Sequence, residues 1–155
     1  YRYLMLSRET PPALMRERVA WTHHHLDPAR MDAAAQYLMG EQDFSAFRAA
    51  GCQANTPNRE ITAISVAACG PFVILDVTAN AFLHHMVRNI AGTLMAVGRG
   101  DRPVEWVREV LTGRDRRKAG ITAAPGGLYL VDIHYPREYA IPKPLPGPLW
   151  ALSGP

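Results

Sequence analysis

Between Thr78 and Val97 the chain reads TANAFLHHMVRNIAGTLMAV, a mostly apolar stretch whose one permanent charge is Arg88. A guanidinium keeps its proton at any ordinary pH, so an arginine buried in such a stretch needs a carboxylate or a phosphate to offset its lost hydration. The bland alternatives are that Arg88 reaches water or bridges two elements of the core. At about 100° per residue, Leu83, Met86, Ile90, Leu94 and Val97 form an apolar stripe that faces a sheet. Arg88 points away from it, on a side shared with Ala81, His84, His85, Ala91, Gly92 and Met95. That face lacks the Lys and Glu of a solvated helix, so another segment must approach it closely.

Other clusters are less pointed. His84 and His85 diverge by about 100° on a helix and have no histidine four residues away, so a metal is not expected there. His23, His24 and His25 lack a nearby Cys or Glu, and Asp27 is better used as a helix cap. The run RDRRK carries Arg114, Arg116, Arg117 and Lys118, relieved only by Asp115. It is either a solvated loop or a phosphate-contacting rim that adds salt-dependent affinity without reading sequence. Arg99, Arg102, Arg48 and Arg59 extend such a rim. No phosphate-binding glycine loop, GxSxG, HExxH or paired CxxC occurs, so the common cofactor and hydrolase chemistries find no support.

These residues need a scaffold, and 155 residues are enough for one domain with a real core. Lys and Arg number 17 against 14 Asp and Glu, which favours a polyanionic partner only mildly. Two cysteines, Cys52 and Cys69, make no disulfide framework or metal pattern and fit a reducing compartment. No apolar run reaches membrane length without a charge, and the expected location is the cytoplasm. The chain opens inside an alternating strand, YRYLMLS, which suggests the C-terminal part of a longer protein.

The pattern predicts a helix capped by Asp27, with Pro28 in its first turn and Gly40 as its stop. ITAISVAAC and PFVILDVTA read as a hairpin turning at Gly70 and Pro71. Asn80 is expected to cap the Arg88 helix and Gly98 to close it; Asp101 to cap a further helix ended by Gly113. LYLVDIHY reads as a final strand, and the proline-rich tail, 136–155, as extended chain lying on the body. The class is α+β, a single domain over 1–155 with helices packed on a mainly antiparallel mixed sheet.

Taken together, YRYLML, DFSAFRAAGC, NAFLHHMVRNIAGTL and TAAPGGLYLVDIHYP, in that order and at compatible spacing, resemble the C-terminal part of the tRNA pseudouridine synthase A family. The resemblance spans essentially the whole chain, and HHMVRNI with GLYL is its most specific part. It implies a pseudouridine synthase-like sheet flanked by helices, a homodimer, and isomerisation of uridine to pseudouridine in the anticodon arm of tRNA without cofactor or metal. It also implies that Arg88 pairs with the catalytic aspartate, that Tyr1 packs on the target uridine and that Leu128 lines the same pocket. The family's nucleophilic aspartate lies in a GRTDAGVH-like segment of the N-terminal half, and no such segment occurs here. The chain alone is therefore expected to be inactive, and Arg88 to lack a carboxylate partner within it. Competing readings are a noncatalytic RNA-binding module with a basic rim formed by Arg48 and the Arg114–Lys118 run, and a small domain whose Arg88 binds a carboxylate metabolite.

Overall fold

The computed structural model describes residues 1–142. Its centre is a six-stranded sheet with the path β2-β1-β5-β4-β3. The strands are β1 (Arg2–Ser7), β2 (Ala20–Thr22), β3 (Gly40–Asp43), β4 (Asn58–Cys69), β5 (Phe72–Ala79) and β6 (Leu128–Tyr129). Every pairing is antiparallel except β1 with β2. β6 and β2 share one edge of β1: β6 lies against Arg2 and Tyr3, β2 against Met5 to Ser7. The mixed, mainly antiparallel α+β class read from the sequence is the one observed.

Side chains alternate across β1 and divide the core in two. Tyr3 and Met5 join Val73, Leu75 and Val77 of β5 under the helices, while Leu4, Leu6, Val19 and Ile74 form a smaller cluster on the opposite face. The helices are α1 (Pro28–Ala35), α2 (Met86–Gly98) and α3 (Trp106–Gly113). α1 begins as its sequence dictates, the Asp27 carboxylate accepting from the Arg30 N–H at 3.1 Å. The β4–β5 hairpin turns at Gly70 and Pro71, as the sequence indicates. Arg2 and Asp76, opposite each other on β1 and β5, form a two-pronged ion pair with both contacts at 2.8 Å.

Several expectations need correction. Asn80 does not cap α2; its side-chain oxygen accepts from Glu60 N–H on β4, and five residues separate it from the helix. Ala81 and His84 therefore precede α2 rather than share its face. Asp101 pairs with Arg99 rather than capping α3, and Gly113 is the last helical residue, with Arg114 in the left-handed turn at φ 51°. Gly40 does not merely stop a helix but opens β3. The strand expected over LYLVDIHY contains only Leu128 and Tyr129. The pairing ends at Arg2 with Tyr129, and among the described residues no strand pairs with residues 131–135. Within the proline-rich tail, Arg137–Tyr139 form a short 3-10 turn; residues 143–155 lie outside the described residues.

Candidate active site

The expected apolar stripe is buried: Met86, Ile90, Leu94 and Val97 line one side of α2, and buried Leu83 lies in the segment just before the helix. The opposite face of α2 is covered by a strap, residues 119–124, that lies directly on the helix backbone. The fit depends on glycine: a Cβ on Gly92 would overlap the Ile121 carbonyl oxygen, and one on Gly120 would come within 2.6 Å of Thr93 Cα. This is the close approach that the small-residue face requires.

Arg88 stands at the edge of the strap, half-buried. Its Nε donates to the Ala123 carbonyl at 2.8 Å, and its own carbonyl accepts from Ala123 N–H at 3.1 Å. Its Nη1 lies 3.2 Å from Nε2 of His85. His85 occupies the left-handed conformation, φ 59°, immediately before α2, which brings its ring back over the first turn. Burial, with the neighbouring His84 and Arg88 charges, pushes the His85 imidazole below its ordinary value. The ring is thus neutral near pH 7 and accepts from the guanidinium. Arg88 does bridge two core elements, and its partners are neutral. Among the described residues it forms no salt bridge. Asp76, the acid opposite Arg2 on β5, is paired with Arg2.

Tyr1 and Leu128 lie at the same end of β1. The Tyr1 ring meets Phe82 edge-on at 4.8 Å between centroids and walls a cleft of about 530 Å³ with Val77, Ala79, Asn80 and the 130–134 segment. Arg88 and Leu128 are not part of that cleft's lining. Leu128 is paired with Tyr3, whose hydroxyl donates to the Ala124 carbonyl at 2.7 Å. Burial raises the Tyr3 phenol far above its ordinary value, against the opposing charge of Arg88, so it is a donor and not a titrating group. Tyr3, with no expected chemical role, is the residue that links β1, Leu128 and the strap that holds Arg88.

The basic rim is unequal. Arg117 is paired with Asp115, and both Arg117 and Lys118 are exposed. Exposed Arg114 reaches Asp43 at 3.2 Å. Arg48 spends its Nη2 on the carbonyls of Cys52 and Ala54, and Arg116 spends both terminal nitrogens on the strap and on Asn89. Asn89, Thr122 and Ala123 escape sequence reasoning. The available signal is Asn89 itself, an amide beside the apolar stripe that must find partners once buried. Among the described residues no group of His, Cys, Asp or Glu is placed to hold a metal ion, and no helix is long and apolar enough to cross a membrane.

A mainly antiparallel α+β scaffold with the Arg88 helix packed on its sheet is consistent with the pseudouridine synthase fold. The family model described as tRNA pseudouridine synthase matches residues 34–136, and this chain belongs to that family. It is 52% identical over 150 residues to "tRNA pseudouridine synthase A" of Aeromonas salmonicida, covering 97% of this chain and 56% of that protein. The proteins of the same name from Shewanella halifaxensis and Hydrogenovibrio crunogenus are 49% identical over 153 residues and 52% over 143. These cover 99% and 92% of this chain but 59% and 55% of the relatives, so the chain spans little more than half of their length.

Proposed function

We propose that this chain supplies the arginine half of the active site of a tRNA pseudouridine synthase, an isomerase acting on uridines of the anticodon stem-loop. The nucleophilic aspartate is supplied by a segment outside residues 1–155, of the GRTDAGVH type. The observation that carries the proposal is the state of Arg88: fixed by Ala123 and His85, half-exposed, and unpaired with any acid among the described residues. A carboxylate docked on it would be held ionised and oriented. It could then attack the flipped nucleotide while the glycosidic bond breaks and the base rejoins through carbon, with no cofactor required.

In this reading Tyr1 supports the extruded base at the cleft it walls with Phe82, and Leu128 contributes apolar surface nearby. Arg114, Arg117 and Lys118 contact RNA phosphates, with Arg48 and Arg116 shaping the loops beside them. Dimerisation and a cytoplasmic setting belong to the proposal and rest on the family resemblance. The chain by itself is inactive. The test is a chimera joining the upstream part of the Aeromonas salmonicida relative to residues 1–155, assayed for pseudouridine in tRNA. Activity in the chimera that Arg88→Ala abolishes supports the proposal. Activity that survives Arg88→Ala, or activity in the isolated chain, overturns it. If the folded chimera binds tRNA but makes no pseudouridine, the noncatalytic RNA-binding reading replaces it.

A further inference from the structure

Arg116 is drawn as a surface cation by its sequence context, but its guanidinium is built into the molecule. Its Nη1 donates to the Gly120 carbonyl at 2.8 Å; its Nη2 donates to Thr122 Oγ1 at 2.9 Å and to Asn89 Oδ1 at 3.0 Å. The Thr122 hydroxyl donates to the same Asn89 oxygen at 2.7 Å. Asn89, fully buried, turns its amide nitrogen the other way, onto the Phe47 carbonyl at 2.7 Å. One residue beyond Thr122 lies Ala123, whose carbonyl fixes Arg88 Nε. Arg88 and Asn89 are adjacent on α2, so the network closes a loop from helix to strap and back to helix.

The geometry points to Arg116, Asn89 and Thr122 as positioning residues for Arg88: by pinning the strap to α2 they set the carbonyl that aims the Arg88 guanidinium. This rests on Arg88 being the arginine of the active site. A hydrogen-bonded fork between two rigid segments restricts rotation more than one contact does, and a misplacement of about 1 Å at a catalytic group costs about a hundredfold in rate. A phosphate-contacting Arg116 would behave differently. Its loss would weaken tRNA binding and lower the salt dependence by about one ion, leaving the chemical step alone.

Two conservative variants, Arg116→Lys and Thr122→Val, separate these roles, with Glu109→Gln, exposed and outside the basic rim, as a control. In the chimera described above, positioning predicts that both variants lower kcat about tenfold or more with KM for tRNA and its salt slope unchanged. In the isotope-labelled 155-residue chain, both variants speed exchange of the Arg88 Nε–H relative to wild type and Glu109→Gln at equal folded fraction. That readout responds to the Arg88 contact and not to overall stability. Unchanged kcat with raised KM and a shallower salt slope overturns the inference, as does unchanged Arg88 Nε–H exchange. If Arg88→Ala leaves the chimera active, the active-site reading fails, and the exchange experiment still decides whether the network holds Arg88.

Discussion

Arg88 and Ala123 hold each other twice: the Ala123 N–H donates to the Arg88 carbonyl at 3.1 Å, and Arg88 Nε donates to the Ala123 carbonyl at 2.8 Å. Backbone and side chain of one helical residue thus grip one residue of an irregular strap. The side chain is oriented by a carbonyl that the reciprocal backbone bond keeps in place, with His85 as its second contact. For an arginine that must meet a carboxylate from another segment, this supplies preorganisation before the partner arrives.

The strap's seat on α2 predicts a sharp contrast between two glycines. Gly92→Ala sets a Cβ onto the Ile121 carbonyl, a backbone group that cannot step aside, whereas Gly98→Ala meets the side chain of Met31. Gly92→Ala should cost about 1–3 kcal/mol or prevent folding. Gly98→Ala should lose less, because the displaced group is a flexible thioether and the helix gains about 1 kcal/mol of propensity. Urea unfolding of both variants checks the order.

Tyr3→Phe removes the donor to the Ala124 carbonyl while keeping the buried ring. The expected loss is about 1–2 kcal/mol of stability. Amide exchange should rise in the 120–128 segment more than in the β4–β5 hairpin.

Acid should act through His85. Its imidazole lies below its ordinary value of 6.5 in the folded protein, so between that value and its folded pKa the unfolded chain binds more protons than the native one. Stability is full above about pH 6.5 and falls as the pH drops through the folded value. His85→Asn, which accepts the left-handed backbone, should flatten that part of the stability profile. A fall as steep as that of wild type would remove His85 from the account.

Salt dependence of tRNA binding separates the rim residues. Lys118→Ala and Arg117→Ala should each reduce the logarithmic slope by about 0.7–0.9. Arg48→Gln should leave the slope unchanged although it removes a charge, because the guanidinium is engaged with the carbonyls of Cys52 and Ala54 rather than with phosphate. Filter binding across a range of salt concentrations reads all three.

Periodicity exposed the apolar stripe of α2, the Asp27 cap and the β4–β5 hairpin, because each is a local pattern that tertiary packing reinforces. It misplaced the start of α2, since Asn80 satisfies a β4 backbone group and His85 adopts a left-handed turn that no apolar pattern marks. β3 was hidden in Gly40–Asp43, a polar GEQD stretch with none of the usual strand formers. Leu130–Tyr135 alternates like a strand, but among the described residues no strand pairs with it, and alternation alone does not supply a partner. At the site, the importance of Arg88 was legible as a lone charge. Its holders were not, because a backbone carbonyl such as that of Ala123 has no signature in sequence.

The role of Arg88 is decided most directly by pseudouridine formation in tRNA by the Aeromonas salmonicida chimera, comparing wild type, Arg88→Lys and Arg88→Ala with the 155-residue chain alone. Product is expected from the wild-type chimera, with about a hundredfold or greater loss in Arg88→Ala, partial retention in Arg88→Lys, and none from the chain alone. Full activity of the folded Arg88→Ala chimera would contradict that role.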